Sequence, residues 1–301
     1  MSQAIDAILV PTDGSEQAEA GARCGIGIAD TAGAALHVLS VVETREIEPA
    51  LSDLDTADRA DRERQFEDGA ERSADAVAGL AREQLSGRVT TAVEHGVPFR
   101  AISEYVETHD IDLVVMGTQG RSGLERLLLG SVAEKTLRTV SVPVVAVPPS
   151  ATEIELSEAA YDDILLPTDG SSGAEIATDW AVTLAELYDS TVHTVYSVDE
   201  SRFVTDDGSG GIHDELERTG RDALGSVREH AGSNDVSVVG YLGRGPAARV
   251  ILDYSDEHDI DMIVMGTHGR SGIDRYLVGS VTETVVRGAA VPVCCVPMEG
   301  I

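Results

Sequence analysis

Short apolar runs alternate with amphipathic stretches along the whole chain. Residues 7–10 form the first run, and the Ala-rich stretch 17–32 reads as a helix. A strand follows at 36–42, then helical spacing over 59–85 with Glu and Arg on the outer face. Residues 89–93 read as a strand and 98–109 as a helix opened by proline, whose missing N–H costs nothing in a first turn. Strand 113–116, helix 132–139 and strand 142–147 complete the order, and residues 162–296 repeat it. Strands that are unbroken Val/Ile/Leu runs between helices imply a parallel sheet covered by helices on both faces. The pattern predicts an α/β protein built from two tandem domains, each with five strands and four helices.

The second half is a copy of the first. HDIDLVVMGT (109–118) returns as HDIDMIVMGT (258–267), and PVVAVP (143–148) as PVCCVP (292–297), both displaced by 149 residues. ILVPTDGS (8–15) matches ILLPTDGS (164–171) at a displacement of 156, so the first copy carries seven extra residues between its ends. The polar stretch 43–64 is the expected place for them. The predicted division is a domain at 1–149, a polar acidic linker at 150–160 and a second domain at 161–301.

Charge narrows the function. The 301-residue chain has a formal net charge of −31, and its single lysine is Lys135. Such a surface repels nucleic acid and anionic membranes. Carboxylates in place of lysines suit a cytoplasm rich in salt, where screening relieves self-repulsion, so a halophilic, archaeal-type source is expected. No run of about 18 apolar residues predicts a membrane span. Residues 1–6 lack a basic region leading into an apolar stretch, so a cytoplasmic location is expected. Cys24, Cys294 and Cys295 do not form a disulfide framework and read as small buried hydrophobes.

Candidate chemistry sits after the fourth strand of each copy. Gly117, Gly120 and Gly130–Ser131 follow a G-x2-G-x9-G-S pattern, repeated by Gly266, Gly269 and Gly279–Ser280. A chain leaving a buried strand must turn sharply there, and small residues let backbone amides approach an anion. The following helix, whose first turn contains Val132 or Val281, offers unpaired N–H groups and the positive end of its dipole. An ordinary turn with serine as helix cap reads the same residues without a ligand. Pro11, Thr12 and Asp13, repeated as Pro167, Thr168 and Asp169, directly follow the first strand, where open α/β sheets bind ligands. Either aspartate accepts from a ribose or base, or caps the next helix. Arg121 and Arg270 follow the second glycines and suit phosphate or an acidic neighbour. His268, in place of Gln119, suits phosphate or solvent.

These motifs resemble the ATP-binding branch of the universal stress protein family, and the resemblance spans both copies. It implies a Rossmann-like parallel sheet of order 3-2-1-4-5. It also implies that Asp13 and Asp169 lie against adenosine and that Val41, with Val198 as counterpart, meets adenine through its backbone. The glycines and serines of both loops would hold the phosphates of ATP, accompanied by Mg2+ on the triphosphate. The last strands would pair the two repeats as an internal pseudo-dimer, with a further homodimer possible. No P-loop lysine motif, metal-ligand histidine spacing or catalytic residue set is legible. A nucleotide-binding stress or signalling protein with little or slow hydrolysis is therefore the first reading. An adenine-nucleotide-handling enzyme and an interaction scaffold with one or both sites empty remain alternatives.

Overall fold

The computed structural model describes residues 3–43, 56–120, 129–153, 161–199, 209–269 and 278–298. Packing divides the chain into two compact units, Ile5–Ala159 and Ala160–Ile301 with Met1–Ala4.

The N-terminal repeat runs β1 (Ala7–Thr12), α1 (Glu16–Ala32), β2 (Ala35–Glu43), α2 (Thr56–Gln84) and β3 (Val89–Gly96). It continues through α3 (Pro98–Thr108), β4 (Leu113–Gly117), α4 (Ser131–Thr139) and β5 (Val144–Val147). Its strands lie in the order β3-β2-β1-β4-β5, every neighbour parallel. Successive side chains of β2 point to opposite faces, which shows both to be covered. Val42 packs on Ala70 of α2, whereas His37 meets Tyr105 of α3. Ile8, Leu9, Leu36 and Leu113 are fully buried at the centre.

The C-terminal repeat has β6 (Asp163–Pro167), α5 (Ser172–Tyr188), β7 (Thr191–Val198), α6 (Ser209–Gly232) and β8 (Val238–Arg244). α7 (Ala247–Glu257), β9 (Met262–Gly266), α8 (Ser280–Gly288) and β10 (Val293–Val296) follow. The order β8-β7-β6-β9-β10, again all parallel, reproduces the first unit. Cys24, Cys294 and Cys295 are buried and unbridged, small core residues as their apolar surroundings predict. Of the expected linker, 150–153 belong to a 3-10 turn, Pro149–Glu153, and 154–160 lie outside the described residues. Most of the stretch expected to hold the insertion, 44–55, also lies outside them.

The repeated HDID motif is explained by its geometry. His109 ends α3 with its amide bonded to the Tyr105 carbonyl and its ring stacked on Tyr105 at 3.8 Å. Asp110 takes φ 49°, the left-handed turn that short polar side chains tolerate, and Ile111 enters the core. Asp112 Oδ2 then accepts from the amides of Asp6 and Ala7 at 2.8 and 2.9 Å, fastening the start of β4 to that of β1. His258, Asp259, Ile260 and Asp261 repeat the device, with Asp261 Oδ2 accepting from Asp163 N at 2.9 Å. The motif is therefore structural, and it lies at the amino ends of the strands, away from the glycine loops.

Candidate functional site

β1 and β4 pair only at Ile8↔Leu113 and Leu9↔Val114, then part. Pro11 lies in the parted stretch and has no N–H to continue a ladder. Because the strand order reverses at this point, the parting opens a crevice beyond the carboxyl ends. β6 and β9 part in the same way after Leu165↔Ile263, with Pro167 in the position of Pro11.

In the N-terminal repeat the crevice is a cavity of about 460 Å³. Pro11, Thr12 and Asp13 form its floor, and Val41 with its β2 neighbours forms one side. Gly117 and Gly120 line the loop side, and Gly130, Ser131 and Val132 present the start of α4. The structure thus brings together every described residue singled out in this repeat. Arg121 and its counterpart Arg270 lie outside the described residues.

The two helices facing the crevice start differently. α1 is capped by its own Ser15, whose hydroxyl accepts from Ala18 N at 3.2 Å. α4 begins at Gly130, which has no side chain to offer and makes no side-chain cap. By helix geometry the amides of Ser131, Val132 and Ala133 have no acceptor within the helix, and the helix dipole adds positive potential there. The Gly130 amide is different, because it donates to the Thr118 carbonyl at 2.7 Å. The amides left without an acceptor inside the helix therefore begin one residue later than the glycine pattern suggests. A Cβ on Gly130 would sit 3.0 Å from that same carbonyl, which explains the glycine. Gly117 has a packing reason of its own, since a Cβ there would collide with the Gln17 carbonyl of α1.

Asp13 supports the start of α1 without capping it. Its Oδ1 accepts from the amide and hydroxyl of Ser15, at 3.0 and 2.6 Å, which steadies the turn into α1. Its Oδ2 faces the loop, 3.0 Å from where a Cβ on Gly120 would sit. The helix cap itself is Ser15.

The C-terminal repeat keeps the loop end. Asp169 Oδ1 accepts from Ser171 N at 2.9 Å, and Thr168 Oγ1 accepts from Gly170 N at 3.2 Å. Gly279 donates to the Thr267 carbonyl at 2.7 Å and leaves α8 without a side-chain cap, so Ser280 and Val281 open that helix. A Cβ on Gly269 would lie 2.6 Å from Asp169 Oδ2, and one on Gly266 would lie 2.9 Å from the Gly173 carbonyl. His268 Nδ1 is 3.0 Å from Thr267 Oγ1. One correspondence needs correction. Val41 pairs with Glu94 and Ser197 with Gly243, so strand register places Ser197, and not Val198, opposite Val41.

Sequence reasoning missed Ser40 on β2 and Phe66 and Gly69 on α2, all on the cavity wall. A serine inside an apolar strand run was a usable signal for the first. The α2 residues reach the wall only through tertiary packing.

A doubly wound parallel sheet with an open crevice at its switch point defines an α/β protein of Rossmann-like type. The family model described as "Universal stress protein family" matches residues 4–148 and 160–297. The chain belongs to that family, as a tandem of two of its domains. A universal stress protein of Methanocaldococcus jannaschii is 35% identical over 146 residues, 48% of this chain and 86% of its own. One from Mycobacterium bovis is 27% identical over 218 residues, covering 71% of this chain and 72% of the relative. The crystal structure of a universal stress protein from Archaeoglobus fulgidus superposes with a TM-score of 0.72 at 23% identity, covering 98% and 97% of the two chains. At that identity the likeness concerns the fold.

Proposed function

We propose that this protein binds an adenine nucleotide in the crevice beyond the carboxyl ends of its sheet and acts in a stress response through its bound state. The observation that carries this reading is an uncapped helix start, Gly130–Val132, opening onto a cavity of about 460 Å³ whose far walls include the apolar Leu39, Val41 and Val42 of β2 and Phe66 and Ala70 of α2. One end suits phosphate oxygens and the other suits a flat base and its sugar. Thr12 and Asp13 lie between the two ends, where a ribose would rest. Among the described residues no group of three His, Cys, Asp or Glu is arranged to hold a metal ion, so Mg2+ would arrive on the triphosphate.

The same wall argues for slow turnover. Lys135 is not on it, since its Nζ lies 5.4 Å from the centre of the Phe99 ring. The lone lysine is then not placed to draw charge from a leaving phosphate, and among the described residues no histidine lines the cavity as a base. Among the described residues no helix is long and apolar enough to cross a membrane. The charge of −31 suits a cytoplasm at high salt and disfavours nucleic-acid or anionic-membrane partners.

Protein purified in molar salt should carry an adenine nucleotide or take up ATP with magnesium in a calorimetric titration. Gly130→Val should abolish uptake by blocking the amides of the first turn. A chain that holds no nucleotide and binds none would leave a scaffold role.

A further inference from the structure

The two crevices share their loop end and differ at the wall formed by the second strand. In the N-terminal repeat Ser40 is a short side chain on the cavity wall, opposite Gly69 and Ala70 of α2. The residue at the same register in the C-terminal repeat is Tyr196, since Ser40 pairs with Val93 and Tyr196 with Leu242. Tyr196 is 5% exposed and packs in one cluster with Val198, Ala223 and Leu224, with Leu216 and Leu242 against it. Its ring lies on α6 at Gly220, where an added Cβ would meet ring carbons at 2.6 and 3.0 Å. A glycine at that point lets a ring into the layer between strand and helix.

The neighbouring position points to the opposite face and is also spent. Val41 lines the open cavity, whereas Ser197 Oγ donates to the Gly245 carbonyl at 2.5 Å, drawing the loop before α7 onto the end of β7. The loop end, by contrast, retains Asp169, Gly269 and the uncapped start of α8.

We propose that the repeats are unequal: the N-terminal crevice takes the nucleotide, and Tyr196 occupies the base end of the C-terminal one. A six-membered ring packed between strand and helix takes space that a purine would need, and dislodging it would expose a large apolar surface. This inference rests on the nucleotide reading above and adds where the nucleotide goes.

Calorimetric titration of the full chain with MgATP should give one nucleotide per chain. Ser40→Tyr should remove it, and Tyr196→Ser should raise the count to two. Photolabelling of the unmodified chain with 8-azido-ATP, followed by peptide mapping, should mark peptides from residues 1–149 and leave 161–301 unmarked, a result independent of how the variants fold. Two nucleotides per unmodified chain, or label in the second repeat, would overturn the inequality while sparing the nucleotide reading. No uptake at all overturns both. A Tyr196→Ser chain with unchanged circular dichroism and still one nucleotide would overturn the role of Tyr196.

Discussion

The amino ends of the two sheets carry the same ring cluster, and one carboxylate separates them. His37, Tyr105 and His109 in one repeat match His193, Tyr254 and His258 in the other, with each second histidine stacked on its tyrosine at 3.8 Å. Nδ1 of the strand histidine lies 3.0 Å from the tyrosine hydroxyl in the first case and 2.9 Å in the second. Beside His193, however, stands Asp163, its Oδ1 2.9 Å from Nε2, where the first repeat has Ala7. Burial, then the nearby His109 and Arg88, lowers the pKa of His37 from its ordinary 6.5. Together with Ser40 and Tyr196, this pair shows how a duplicated frame diverges. Backbone geometry is retained, and single side chains change what each copy packs at the same position.

Several substitutions break or sharpen that comparison. The largest effect is expected where strand meets helix. Gly117→Ala drives a methyl group into the Gln17 carbonyl, whereas Gly266→Ala approaches the Gly173 carbonyl at 2.9 Å. Losses of about 3 and about 1 kcal/mol are expected from overpacking, read from urea unfolding in molar salt. Equal losses would show that the two interfaces are equally tight.

Helix ends come next. Ser15→Ala and Ser171→Ala each remove a hydroxyl that accepts from the third amide, at 3.2 and 3.3 Å, and each should cost about 1 kcal/mol. At the other end of these helices the copies differ, for Gly33 has φ 67° and Asp189 has φ 58°. Asp189→Gly should therefore stabilise the second repeat by roughly 0.5–1 kcal/mol, while Gly33→Ala destabilises the first by about 1. A stability change of the same sign in both would contradict the strain assigned to Asp189.

Acid should separate the repeats more gently. With a depressed folded-state pKa, His37 takes its proton more readily in the unfolded chain. Its support for the fold is full above 6.5 and is lost as pH falls from there through the lower folded value. At the matching place in the second repeat Asp163 Oδ1 lies 2.9 Å from His193 Nε2. Ala7→Asp, which sets a carboxylate beside His37, should lessen the fall in urea midpoint between about pH 7.5 and about pH 5.5. No response to the change would remove His37 as the cause. The smallest effect is expected from the equivalent surface pairs Arg138–Glu134 at 2.7 Å and Arg287–Glu283 at 2.6 Å. Arg138→Ala and Arg287→Ala should each cost less than about 0.5 kcal/mol, and by the same amount.

The sequence by itself determined the duplication, the parallel sheets and nearly every element, because these follow from apolar runs, helical spacing and repeated motifs. It also marked the loop and strand-end residues that the N-terminal cavity gathers, since tight turns restrict residue choice locally. Tertiary structure decided the rest. That the Gly130 amide is already used, that HDID is a fastening and that α2 supplies a wall all depend on groups distant in sequence. So does the difference between Ser40 and Tyr196: a serine and a tyrosine are both acceptable in a strand, and only the helix packed opposite shows which leaves a space and which fills it.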